Sequence, residues 1–165
     1  MATSLKKFKG GPELQAFLNQ LPANLERNVM RSGLRQGANV IRKDAQERVP
    51  VKSGELRKSI KVRTRSRRGQ VTATVETRDF KAHWIEFGTD PHEITPKKPD
   101  GALAFGDTVV KAIQHPGTHA QPFMRPAADS KADAAVVAVG DQIRKRLATK
   151  HGLTTPAGLE VDDEE

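Results

Sequence analysis

Apolar residues recur along this chain at two different periods, and the change of period separates helical from extended segments. Leu14, Phe17, Leu18 and Leu21 follow Pro12 at helical spacing, so a short amphipathic helix starts there and Pro22 ends it. Met30, Leu34, Ala38, Ile41 and Ala45 recur at spacings of 4, 4, 3 and 4, which predicts a longer helix from about Ala23 to Arg48. Its opposite side carries Arg27, Arg31, Arg35, Arg42 and Lys43. Gly33 and Gly37 sit four apart within it. Each glycine costs about 1 kcal/mol relative to alanine in a helix, so either a close crossing with another element repays the pair or the helix bends there, and the close crossing is the favoured reading. The helix must stop before Pro50, because proline disfavours helical geometry in the residue ahead of it.

The period then shortens to two. Leu56 to Arg65 and Gln70 to Arg78 alternate apolar with polar positions around Arg67-Arg68-Gly69, an antiparallel hairpin with a basic tip. Phe80 to Phe87 holds the single Trp of the chain and reads as a short helix or strand plugging the core, after which Gly88 permits a positive φ and Asp90-Pro91 turns the chain away. Residues 88 to 122 contain five prolines and four glycines, with extended candidates at His92 to Thr95, Ala102 to Phe105 and Thr108 to Gln114. Pro126 fits the first position of a last helix, with Ala132, Val136, Val139, Ile143 and Leu147 as its apolar stripe. Lys150 and His151 suit the negative end of that helix and Gly152 its cap.

The element order gives an α+β fold, one antiparallel sheet packed on one side by two long helices, with a long flexible hairpin or loop and mobile termini. Three regions are expected: a flexible basic arm at 1–11, a single α+β domain at 12–151 and a disordered acidic tail at 152–165. A chain of 165 residues is long enough to bury a core of its own, while 36% hydrophobic and 4% aromatic residues leave part of it outside that core.

Charge and composition narrow the chemistry. The absence of Cys removes disulfides, thiolate metal sites and cysteine catalysis. No apolar run approaches the roughly 18 residues that span a bilayer, and no charged-then-apolar leader opens the chain, so a cytoplasmic protein without a membrane role is expected. The net charge of +8 is unevenly placed: residues 1–75 carry 17 Lys and Arg against 5 acids, and residues 76–165 carry 11 against 15. Such a bias steers a chain towards acidic partners, whether nucleic acid or another copy of itself.

No catalytic or cofactor arrangement is evident. Glu86 has no second carboxylate at a defined spacing, and if buried it would want Arg125 as partner. His115 and His119 are four apart, but Pro116-Gly117 between them rules against a helical zinc pair, and with His92 they read as solvated loop histidines. No metal, cofactor or phosphate loop is expected. Lys61, Arg63, Arg65, Arg67 and Arg68 form the strongest basic run, with no aromatic interleaved to stack on bases, so a subunit contact or non-specific phosphate contact is the reading. Arg57 and Lys58 are further interface candidates, as are Phe123 and Met124 if exposed before assembly.

Three punctuated segments complete the picture: Val49-Pro50-Val51-Lys52-Ser53-Gly54-Glu55-Leu56-Arg57-Lys58-Ser59-Ile60, Ile85-Glu86-Phe87-Gly88-Thr89 and Gln121-Pro122-Phe123-Met124-Arg125-Pro126-Ala127. In each, a breaker residue (Pro50, Gly54, Gly88, Pro122, Pro126) adjoins an apolar anchor (Leu56, Phe87, Phe123). In this order the set resembles the tail-completion or head–tail joining family of long-tailed phages and prophages, from about Leu14 to Leu147. Family members often place tyrosines just before Glu-Phe-Gly-Thr, where this chain has His83-Trp84. The resemblance implies a virion structural protein, not an enzyme, that forms a ring of copies in the neck at the head-proximal end of the tail. It implies tail terminator, tail-tube or head-closure proteins as partners and DNA in the lumen. It also places the chain in the host cytoplasm during assembly and then in the virion. The basic half keeps open a second reading, a non-specific nucleic-acid-binding module.

Overall fold

The structure is a computed structural model and describes residues 8–9, 11–19, 23–98, 101–153 and 160–161. The remainder of the expected basic arm and acidic tail, and the end of the first helix at Leu21 and Pro22, lie outside the described residues. The chain divides into two compact units, one made of residues 1–78 with 123–165 and the other of residues 79–122.

The first unit is built around a long helix. Strand β1 (Phe8–Lys9) leads to helix α1 (Gly11–Asn19) and then α2 (Ala23–Arg48), whose bounds are those the apolar spacing predicts. A five-residue helix, α3 (Glu55–Ser59), follows the Pro50 break, and strands β2 (Lys61–Arg67) and β3 (Gln70–Glu76) pair antiparallel from Lys61↔Glu76 to Arg67↔Gln70. Leu56 to Ser59 is thus helical where alternation predicted strand. Gly54, at φ 77°, turns the chain, and Leu56 is buried from one turn of helix rather than from a strand face. The Gln46 amide donates to the carbonyls of Arg57 and Ile60 at 3.0 and 3.2 Å, which holds this turn against α2.

Within this unit α2 is the central element, with the β2–β3 ladder on one part of its surface and the last helix, α5 (Met124–His151), along another. The two long helices run antiparallel, since Ser32 meets Gln142 while Asp44 meets Ser130. They cross closely at the two glycines: a Cβ on Gly33 would lie 2.7 Å from Ile143 Cγ1, and one on Gly37 would lie 2.7 Å from the Ala135 carbonyl oxygen. The close crossing expected from the glycine pair is therefore present, and it moves the buried line of α5. Ala135 is buried at the crossing, whereas Ala132 and Val136 of the predicted stripe are exposed, because only a small residue fits opposite Gly37. Past the crossing Ile143 and Leu147 keep their predicted burial and join Leu14, Leu18 and Val29 in one cluster. Pro126 is the third residue of α5, where its missing N–H has no helical partner to lose. Gly152 ends the helix in the left-handed region at φ 61°, as a C-terminal glycine should.

The second unit begins with helix α4 (Lys81–Phe87) and continues as two ladders, β4 (His92–Ile94) with β7 (Ile113–His115) and, between them in sequence, β5 (Leu103–Phe105) with β6 (Thr108–Val110). Strand β8 (Glu160–Val161) pairs antiparallel with β1. The class is α+β as the sequence indicates, but in place of the one expected sheet the antiparallel structure among the described residues is distributed over four two-stranded ladders. No helix among the described residues is long and apolar enough to cross a membrane.

Candidate functional site

The basic hairpin is shaped by its turn. Arg68 and Gly69 both have positive φ, at 51° and 81°, the geometry whose twist matches a two-residue connection between antiparallel strands. A left-handed arginine is uncommon, and its cost is met by a turn that brings Arg67 opposite Gln70 and leaves Arg67 and Arg68 exposed. Pairing of Lys61 with Glu76, Arg63 with Thr74 and Arg65 with Thr72 puts the three cations on one face of β2. Arg63 reaches Glu76 at 3.4 Å. Lys61 and Arg65 are exposed, as are Arg57 and Lys58 on α3 and Pro50 ahead of it.

A cavity of about 530 Å³ opens beside this ladder, lined by Arg35 of α2, Ser59, the β2 run Lys61, Val62, Arg63 and Thr64, and Glu76 and Arg78. Four cations against one carboxylate make it an anion-attracting hollow. The basic run read from the sequence supplies two of them, Lys61 and Arg63; Arg35 and Arg78 join only because α2 lies against the ladder, a tertiary fact no local pattern encodes.

The aromatic segment is placed otherwise than expected. Residues 81–87 are helical, and Phe80, Trp84 and Phe87 are 66%, 49% and 60% exposed, so they do not plug a core. Their spacings of four and three put them along one side of the helix, and the Phe80 and Trp84 rings meet edge to face at 5.1 Å. His83 packs on Phe87 at 5.0 Å, and Glu86 is half-buried. Gly88 ends α4 at φ 75°, donating its N–H to the Trp84 carbonyl at 2.8 Å. A Cβ there would lie 2.6 Å from the Thr118 carbonyl oxygen, because Thr89 and Thr118 bridge through reciprocal hydrogen bonds of 3.0 Å and draw the two chain segments together.

Trp84 also borders a cavity of about 580 Å³ lined with Pro91, Ile94, His92 and His115. The two histidines are directly opposed across β4 and β7, with rings 5.0 Å apart, a pairing that their separation in sequence concealed. His92 Nδ1 is bonded to the Asp90 carbonyl at 2.9 Å, and His115 Nδ1 accepts the Gly117 N–H at 3.1 Å. His119 is exposed. Among the described residues no group of three or more His, Cys, Asp or Glu is arranged to hold a metal ion.

The Gln121–Ala127 segment divides by burial. Pro122 and Arg125 are exposed, Met124 and Pro126 half-buried, and Phe123 fully buried, so Phe123 anchors the entry to α5 in this structure. Below it in the same unit, Asp44 is buried at the contact of α2 with α5, held by Arg48, by Lys131 at 3.8 Å and by the Ser130 hydroxyl at 3.4 Å. The hydrogen bond from Arg48 holds the Asp44 carboxyl below the usual aspartate range, against an opposing push from burial, with the charges of Arg48 and Lys131 adding to the lowering.

No curated protein and no solved structure matches the chain. Residues 12–88 match the family model described as "Bacteriophage HK97-gp10, putative tail-component", a span that takes in α1, α2, the Pro50–Ile60 segment, the basic hairpin and α4 through Gly88. The first punctuated segment lies wholly inside it and the second up to Gly88, and over that span the chain carries the pattern of a bacteriophage tail-component family.

Proposed function

We propose that this tail component is the tail-completion, or head–tail joining, subunit of a long-tailed phage or prophage. Copies of it form a ring in the neck at the head-proximal end of the tail, against tail terminator, tail-tube or head-closure proteins, with DNA passing through the lumen. It acts by association, not turnover, and is made in the host cytoplasm before entering the virion. The observation that carries this reading is the family match over residues 12–88, since it takes in the Val49–Ile60 segment and the second segment up to Gly88, two of the three that resemble the tail-completion family. The exposed Phe80, Trp84 and Phe87 support it. Three large apolar side chains in line on one short helix are a poor solvent face and a good docking ridge, and aromatic residues are enriched where protein surfaces meet. The opposed charge bias of the two halves would set the register between neighbours.

Removal of the coding sequence from the phage genome tests the reading. Filled heads and finished tails should accumulate separately, and purified chain added to the extract should join them. Fully joined, infectious particles made without the chain would refute it. A chain that instead binds duplex DNA with steep salt dependence, and never enters particles, would be the nucleic-acid module that its basic half also permits.

A further inference from the structure

The β2–β3 ladder is two strands wide, and among the described residues no third strand pairs with either of its outer edges. An unpaired edge presents a row of N–H and C=O groups to any extended chain that meets it. Along β2 the charge is of one sign, with Lys61, Arg63, Arg65 and Arg67 at alternate positions. The cavity touches four successive β2 residues, Lys61, Val62, Arg63 and Thr64, together with Arg35 of α2 and Glu76 and Arg78 on the paired side, so cations gather beside this strand. Of the cations beside it Arg63 is paired with Glu76, and among the described residues no ion pair engages Arg35, Lys61 or Arg78.

The chain carries a complement to this edge. In Leu159-Glu160-Val161-Asp162-Asp163, Leu159 and Val161 alternate with Glu160 and Asp162, the pattern of a strand with one apolar and one acidic face. Glu160–Val161 is already extended and already laddered to a basic partner, with Lys9 opposite Glu160, but β1 offers it two residues where β2 offers seven. We propose that Leu159–Asp163 of one copy adds as a third strand to the β2 edge of a second copy, its acids facing Lys61, Arg63 and Arg65 beside Arg35. This deepens the ring reading and rests on it. Main-chain hydrogen bonds supply the attraction and the charges fix the register. Donor and acceptor are different surfaces, so the contact is head-to-tail and passes on from copy to copy. A single nucleic-acid strand fits the hollow less well, because no aromatic ring lines it for a base to stack on.

Sedimentation velocity on the full chain tests this with two charge reversals: an acceptor variant, Lys61→Glu with Arg65→Glu, and a donor variant, Glu160→Lys with Asp162→Lys. The unaltered chain should associate as its concentration rises, each variant alone should sediment as a monomer, and an equimolar mixture of the two should associate again, since each then offers the other a matching edge. Misfolding of either variant cannot produce that recovery. Variants that associate like the unaltered chain, a mixture that stays monomeric, or an unaltered chain monomeric at every concentration would overturn the contact. So would an acceptor variant that loses single-stranded DNA binding while self-association is unchanged. Those outcomes leave the neck role standing, because it is read separately from whether heads and tails join.

Discussion

At the scale of single residues, the two crossing glycines make unequal demands. Gly37 meets the Ala135 carbonyl oxygen at 2.7 Å beside the Val139 side chain, whereas Gly33 meets the Ile143 side chain at 2.7 Å with the Val139 carbonyl oxygen farther off at 3.1 Å. Alanine gains about 1 kcal/mol of helix propensity at either site, and forced packing costs about 1–3 kcal/mol. Gly37→Ala should therefore lower unfolding free energy by about 1–2 kcal/mol in urea titration, and Gly33→Ala, whose tightest neighbour is a side chain and not backbone, should lower it by less. Asp44 makes a prediction in pH. Its carboxyl titrates below its ordinary value of 3.8 in the folded state, so its stabilisation is complete above that value and is lost as pH falls through the lower folded one. Asp44→Asn should be less stable than the parent near neutrality, and the gap should close in acid unfolding below about pH 3.8. The glycines were legible in the sequence because an unrepaid glycine pair in a helix has few explanations. Asp44 was not, since one acid among the basic residues of α2 acquires its meaning only from Ser130 and Lys131, 86 and 87 positions away.

At the scale of elements, periodicity located α2 and α5 but only part of the faces they bury: Ala38, Ala45, Ile143 and Leu147 are buried as predicted. Met30, Leu34 and Ile41 are half-buried, while Val29, Gly33 and Gly37 are buried, because α2 serves both α5 and the hairpin and needs a broad contact surface. Alternation over Leu56–Ile60 was read as strand because five residues are too few to separate a period of two from one turn of helix. The aromatic helix is the largest departure. Hydrophobic character predicts burial by default, and it cannot say when the burying partner is another molecule. Trp84→Ala should change thermal unfolding by no more than about 1 kcal/mol, as befits a half-exposed side chain, yet weaken incorporation into tails by roughly 30-fold or more, the loss of a central aromatic contact. Phe123→Ala should do the reverse in stability, costing about 3–5 kcal/mol, because its ring is fully buried.

At the scale of the whole molecule, the chain concentrates its unusual features at surfaces. One unit carries a basic ladder with open edges, the other an apolar ridge, and the described residues show no assembled catalytic group. The order of the punctuated segments was legible as a resemblance to a phage structural family, and the match to a tail-component family takes in the first of them and the second up to Gly88. Their meaning for assembly is not legible in any one chain, since an interface is a property of two surfaces. Light scattering of the purified chain, alone and mixed with the tail-tube and terminator proteins of the same phage, tests the central claim most directly. A discrete ring mass in the mixture, lost with Trp84→Ala, is the predicted result; a chain that keeps the mass of a monomer with every partner would contradict the account.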